Sequence, residues 1–260
     1  MKYLWGNKKK NIYLFMCHTI SKEILEEYNK IDKATKGLGE TYLLFHSTDN
    51  NSPSDLAKYK KYLFTDESLI HLDYPMLRKS IIPGSCHFPL LQFFIDYPSY
   101  DFYWLIEYDV RFTGDWRKFF QYFNASSADL LACDIRSYAD KPNWRWWGLN
   151  HPSKKISLKK RYASYNPIYR ISNRGLKFIH CSLRDGWKGH QEVVLATLLY
   201  HNGFELRDFG GNGSFVKPGD ENRFYLSNSD NSTVRWRPPF KKIGQNDQKL
   251  YHPVKPSLKN

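Results

Sequence analysis

Two carboxylates one residue apart, Glu107 and Asp109, follow a continuous apolar run in the stretch Asp101-Phe-Tyr-Trp-Leu-Ile-Glu-Tyr-Asp-Val-Arg111. Such a run reads as a buried strand of a parallel sheet, and open α/β sheets bind ligands at the carboxyl ends of their strands. Residues two apart on a strand point to one face, roughly 6.5 Å apart along the chain, so both acids can address one hydrated cation or one ligand. That arrangement suits divalent-metal and phosphate chemistry. The simpler alternative is that the pair closes a strand end against Arg111. Mg²⁺ or Mn²⁺ on a diphosphate takes oxygen ligands from one or two carboxylates, the phosphates and water, and stabilises charge on a leaving group.

Other residues could complete such a centre. His252 and Lys255 lie in the Pro-stiffened segment Tyr251-His-Pro-Val-Lys-Pro256. There an imidazole can finish a metal shell and an ammonium can hold a phosphate. Transfer to a hydroxyl also needs a base. Glu192, after the turn Gly186-Trp-Lys-Gly-His-Gln191, is the first candidate, with Asp134 and Asp185 as alternatives. A carboxylate at a helix start is also explained by the free N–H groups there.

These side chains need a scaffold. Asn11–Thr19 reads as a buried strand, Ser21–Lys33 as a helix capped by Ser21, and Glu40–Ser47 as a second strand, with Gly37 and Gly39 ending the helix. This βαβ opening predicts a right-handed crossover and a parallel sheet. The first strand ends in Cys17-His18-Thr19, a second candidate ligand edge. A polar loop over Asp49–Asp55 precedes a short third strand at Leu69–Leu72 and, after the Pro83-Gly84 turn, a helix over His87–Tyr97. Trp116–Phe123 is read as a helix, Asp129–Arg136 as a strand, Ile168–Ser172 as a strand, and Asn173–Cys181 and Glu192–Tyr200 as helices. Between Ser137 and Tyr165 the pattern breaks around Asn143-Trp-Arg-Trp-Trp147, either an acceptor-side lid or a satellite of the core. From Gly210 onward the composition predicts an extended wrap.

With 260 residues and 17% aromatics the chain can build a full core, and a single α/β domain over 1–260 is the expectation. The formal charge of +13, dense at Lys8 to Lys10, Lys154 and Lys155, Lys159 to Arg161 and Lys241 and Lys242, favours anionic partners without choosing among them. Four scattered cysteines lack zinc spacing, and a reduced setting is expected. No leader or spanning segment is read at the N-terminus, which points to a cytoplasmic protein and sets aside the Asn-x-Ser/Thr triplets at Asn124, Asn212 and Asn231.

In order, the apolar strand with Glu107-Tyr-Asp109, the helix opened by Gly189-His-Gln-Glu192, and the tail His252-Pro-Val-Lys255-Pro together resemble nucleotide-sugar glycosyltransferases of the GT-A fold. The segment from Tyr103 to Trp116 is also similar to a group of largely uncharacterised glycosyltransferase-like proteins. The resemblance implies a GT-A-like α/β fold with a mostly parallel central sheet flanked by helices, a nucleotide-binding half over 1–136, and an acceptor half with its tail over 137–260. It implies Mn²⁺ or Mg²⁺ held by Asp109 and His252, with Glu107 on the metal, its water or the ribose. His18 and Thr19 would lie at the nucleotide base, Lys255 at the phosphates, and Glu192 at the acceptor hydroxyl. The family's partners would be a nucleotide-sugar donor and a glycan or lipid-linked acceptor, as in surface polysaccharide or lipooligosaccharide synthesis. Peripheral contact with an anionic inner membrane face fits the charge. Two other readings stay open. One is a nucleotidyltransferase or other phosphoryl-transfer enzyme on the same carboxylates, though no Gly-rich phosphate loop is evident. The other is a non-catalytic protein binding anionic ligands or nucleic acid; no nucleic-acid motif is present, and nucleic acid is not expected as a partner.

Overall fold

In the computed structural model, residues 9–48, 51, 53–78, 80–227, 232–235 and 239–256 are described. Lys8, residues 49, 50 and 52 of the polar loop, and Asn231 lie outside them. In chain order the elements are β1 (Asn11–Cys17), α1 (Lys22–Thr35), β2 (Gly39–His46), β3 (Lys61–Phe64), α2 (Asp66–Ile70), α3 (Phe88–Asp96), β4 (Phe102–Glu107), β5 (Arg111–Phe112), α4 (Trp116–Asn124), β6 (Leu130–Ser137), β7 (Leu149–Asn150), β8 (Tyr162–Ser172), α5 (Asn173–Arg184), β9 (Lys188–Gly189), α6 (Gln191–His201), β10 (Leu206–Asp208) and β11 (Leu250–Tyr251).

The opening βαβ unit forms as its sequence dictates. The Ser21 hydroxyl accepts from the Ile24 amide at 3.3 Å and starts α1, and Gly37, at φ +76°, turns the chain out of it. β2 then lies parallel to β1. Among the described residues the central sheet has seven strands, in the order β10-β6-β8-β4-β1-β2-β3. β8 runs antiparallel to both its neighbours, and the other pairings in the sheet are parallel. The fold is thus mixed α/β with a mostly parallel sheet, as expected.

Alternation along β1 divides the core. Ile12 and Leu14 pack with α3, α5 and α6 on one face, while Tyr13 and Phe15 pack with α1 and α4 on the other. The chain winds from β1 out through β2 to β3, then returns to place β4 on the other side of β1. The carboxyl ends of β1 and β4 therefore flank a topological switch point, where open α/β sheets bind ligands.

Two expected elements differ. Leu69–Leu72 is not a strand: the Thr65 hydroxyl accepts from the Ser68 amide and the Ser68 hydroxyl accepts from the Thr65 amide, both at 3.0 Å, which starts α2, so that Leu69 and Ile70 end this helix, residues 71 and 72 turn out of it, and the edge strand is the preceding β3. A short apolar run does not distinguish helix from strand, and the capping pair decides it. β8 also begins earlier than Ile168, at Tyr162, because its first half pairs with β6 across an irregular register despite Pro167.

Arg170 on β8 is fully buried on the α4 face of the sheet. Its guanidinium donates to the carbonyls of Phe123 at 2.7 Å, Ser126 at 3.2 Å and Ala128 at 2.7 Å, and lies 4.0 Å from the Phe102 ring centroid. It ties the α4–β6 connection to the sheet. Arg170→Met keeps much of the volume but removes three charge-assisted bonds, and is expected to cost about 3 kcal/mol, read as a lower urea midpoint with an unchanged slope. An unmoved midpoint would mean that the connection holds without it.

Candidate active site at the carboxyl ends of β1 and β4

Glu107 is the last residue of β4, and Asp109 lies in the tight turn beyond it. The turn, rather than strand geometry, brings Asp109 back beside Glu107. The tail is delivered by main-chain pairing: β11 lies antiparallel to β5, the Val254 amide donates to the Asp109 carbonyl at 2.8 Å, and the His252 amide donates to the Thr233 carbonyl at 2.8 Å. As a result His252 Nε2 stands 3.2 Å from Glu107 Oε2 and 3.4 Å from Asp109 Oδ1. One ligand atom from each of Glu107, Asp109 and His252 lies within 4.8 Å of the others. Lys255 Nζ donates to Asp109 Oδ2 at 2.5 Å and to the Tyr108 hydroxyl at 3.1 Å.

The electrostatics of this cluster are strong. Burial favours the neutral form of Asp109, but His252 and Lys255 outweigh it and hold the carboxyl well below its usual range. Burial likewise disfavours the His252 imidazolium, and the two carboxylates reverse this, raising it to about 9. Lys255 is raised as well, its burial outweighed by Asp109. Asp109 Oδ1 is buried and accepts no hydrogen bond among the described residues, so the 3.4 Å approach of His252 is an attraction between charges without bond alignment. An orphaned carboxylate oxygen facing an imidazole and a second carboxylate suits an oxygen-preferring divalent cation, with His252 giving up its proton on loading. The residues present therefore fit a divalent metal ion.

A cavity of about 330 Å³ adjoins the cluster, with Met16, Cys17, His18 and His46 on its β1–β2 side and Glu107, Asp109 and Lys255 on the other. The His18 ring packs edge-on against Tyr108 at 5.0 Å, and burial together with Lys255 lowers its basicity. Thr19 is on the same turn but is not part of this lining. Cys17 is buried, and burial pushes its thiol well up, so it is unreactive.

Glu192 stands in the first turn of α6, whose cap is the His190 side chain. Gly84, at φ +106°, lets the Pro83-Gly84 turn press on this helix start: its carbonyl accepts from the Gln191 amide at 2.7 Å, and a Cβ there would stand 3.1 Å from the His190 ring. Burial pushes the Glu192 carboxyl up to about 7 against the pull of Arg235 and Arg136. A chain of contacts joins it to the carboxylate cluster. Arg235 Nη2 is 3.8 Å from Glu192, the Arg235 guanidinium lies 4.1 Å over the Tyr165 ring, and the Tyr165 hydroxyl is 2.8 Å from His252 Nδ1. Of the alternative bases, Asp134 belongs to this neighbourhood, 3.0 Å from Arg235, whereas Asp185 pairs with His151 and Lys154 at the surface. In the tryptophan segment, Trp147 joins the core, Trp144 packs against it, and Trp146 stacks on the His190 ring at 5.2 Å.

Tyr108, Arg136, Tyr165 and Arg235 were not anticipated. Asp134 and Arg136 alternate on one strand, which could have suggested a shared face, but their meeting with Arg235 depends on a contact about a hundred residues distant in sequence. Among the described residues no helix is long and apolar enough to cross a membrane.

A protein family described only as being of unknown function, DUF3405, matches residues 59–129, the stretch that carries Glu107 and Asp109. No curated protein matches the chain in sequence. Solved structures similar to it include glucosyl-3-phosphoglycerate synthase from Mycobacterium tuberculosis in complex with uridine diphosphate, at 13% identity and a TM-score of 0.45 over 82% of this chain and 74% of that one. Others are the inositol-1-phosphate CTP transferase from T. maritima (10% identity, TM-score 0.40, 79% of this chain and 87% of that one) and a glycosyltransferase involved in glycosylation of the major capsid of PBCV-1 (11%, 0.33, 68% and 67%). Likeness at this level leaves the chemistry to be read from the side chains.

Proposed function

We propose that this protein is a metal-dependent, GT-A-like glycosyltransferase that moves a sugar from a nucleotide-sugar donor to a hydroxyl of a glycan or lipid-linked acceptor. The observation that carries the reading is the meeting of Glu107 and Asp109, from the middle of the chain, with His252, from its C-terminal segment, beside a cavity at the switch point between β1 and β4. Asp109 and His252, with Glu107, would hold Mn²⁺ or Mg²⁺, which when bound would neutralise charge on the departing diphosphate. Lys255 attracts the phosphates, and the exposed His18 borders the pocket for the base. Glu192, half ionised near neutral pH, takes the proton of the acceptor hydroxyl, while Arg235 and Tyr165 hold the two sides of the site in register. A role in surface polysaccharide or lipooligosaccharide assembly at the cytoplasmic membrane face fits the +13 charge.

The test is a melting screen of nucleoside diphosphates, nucleoside triphosphates and nucleotide sugars, each with and without Mn²⁺, since a ligand of the folded state raises the midpoint by mass action. A metal-dependent rise with one nucleoside diphosphate and its sugar is expected. A response to triphosphates alone, with pyrophosphate released, would replace this reading by nucleotidyl transfer; no response at all would remove both.

A further inference from the structure

A second cavity, of about 550 Å³, opens beside Arg235, and its wall includes Asp134, Arg136, Lys141, Ser232 and Arg235. It is built around a break in β6, where the register with β8 shifts twice between Leu131 and Arg136 and Asp134 takes φ +46°. Such bulges re-aim side chains and occur next to functional sites, and a non-glycine residue in the left-handed region stores strain.

The break leaves too few acceptors for the cations present. Asp134 stands between two guanidinium groups, Arg136 at 2.6 Å and Arg235 at 3.0 Å, the latter too poorly aligned for a hydrogen bond, and the next carboxylate, Glu192, is 3.8 Å from Arg235. Arg136 is only 5% exposed, lies 5.1 Å over the Trp144 ring, and among the described residues bonds only through Nη1, its Nε and Nη2 finding no partner there. A guanidinium carries five N–H donors, and leaving them buried and unpaired is costly. Lys141 adds a third cation whose charged form is disfavoured by burial and by Arg235 and Arg136. Asp140, also on the wall, is engaged by the Ser137 amide and hydroxyl at 2.7 and 2.9 Å.

We propose that this cavity is the anion subsite of the acceptor, taking a phosphate group on Arg136, Lys141 and Arg235. A phosphate offers acceptor oxygens to several cations at once, and Arg235 touches Glu192, so the group would anchor a hydroxyl of the same molecule toward that carboxylate. Its role as an acceptor subsite rests on the transferase reading; the binding itself does not.

The full-length protein, without metal or nucleotide, is titrated with inorganic phosphate, glucose 6-phosphate, glycerophosphoglycerol and glucose, with tryptophan fluorescence reporting through Trp144. The phosphate-bearing probes are expected to bind and glucose not to. Preference for the monoester indicates a soluble sugar phosphate, and preference for the diester a lipid-linked one. Arg235→Gln and Lys141→Gln should each weaken binding about tenfold, and Lys255→Gln, in the other cavity, by less than about twofold. Lys141 is solvent-facing, so its variant is the safeguard if Arg235→Gln misfolds. No phosphate binding, binding unaffected in both variants, or binding lost only in Lys255→Gln would overturn the proposal. Failure of the nucleotide screen would leave this result intact as a bare anion site, and failure here would leave the donor reading standing.

Discussion

Asp109→Ala is expected to lower nucleotide-sugar turnover at least about a thousandfold and to abolish the metal-dependent nucleotide shift, while the protein stays folded. One carboxylate oxygen of Asp109 is held by Lys255 at 2.5 Å, and the other is buried, without a hydrogen bond among the described residues, 3.4 Å from His252. Removing the carboxylate takes away a ligand and also releases the two cations it organises. Glu107 makes a contrast, because its side chain is 24% exposed and faces only His252 among the ion pairs of the site. Glu107→Gln should therefore cost less, about ten- to a hundredfold, in keeping with a residue on a metal-bound water or the ribose. Equal losses in the two variants would assign them equal roles. Turnover surviving in Asp109→Ala would dismiss this centre.

Asp109 and its strand were legible because a buried parallel strand is a run of apolar residues, and polar residues appear where that strand leaves the core. Residues 102–107 have this character, and so do Asn11–Cys17 beside them. The tail was legible as a segment but not as a position. His252 reaches Glu107 only because β11 pairs with β5 and Val254 bonds to the Asp109 backbone, and main-chain pairing of that kind leaves little trace in side-chain identity. The same limit hid Arg235, Tyr165 and Arg136. Each is an ordinary polar or aromatic residue of its own segment and becomes a site residue through contacts with distant segments. The misread strand at Leu69–Leu72 has a different cause. The local signal was present in Thr65 and Ser68, but the apolar run drew the assignment away from the cap.

Glu192→Gln is expected to lower turnover by about a hundred- to ten-thousandfold with nucleotide binding intact, and to abolish the acid limb of the rate profile. The environment separates a base from a mere helix-start carboxylate. A carboxylate stabilised by free N–H groups is held ionised, with its pKa lowered, whereas burial pushes Glu192 up to about 7. The base must be ionised, so the wild-type rate should rise with pH through about 7 and level off above it, and the glutamine variant should show no such rise. Stability runs the other way. Because the folded pKa is raised, the stabilising contribution of protonated Glu192 is fully present below the unfolded value near 4.3 and is lost as pH rises through about 7. At pH above that point the wild-type protein holds an ionised, buried carboxylate that glutamine does not have to carry. Glu192→Gln should then melt higher than wild type at alkaline pH, by on the order of 2 kcal/mol, while being nearly inactive. A variant that lost stability at alkaline pH together with activity would return Glu192 to a structural role and move the search for the base to Asp134.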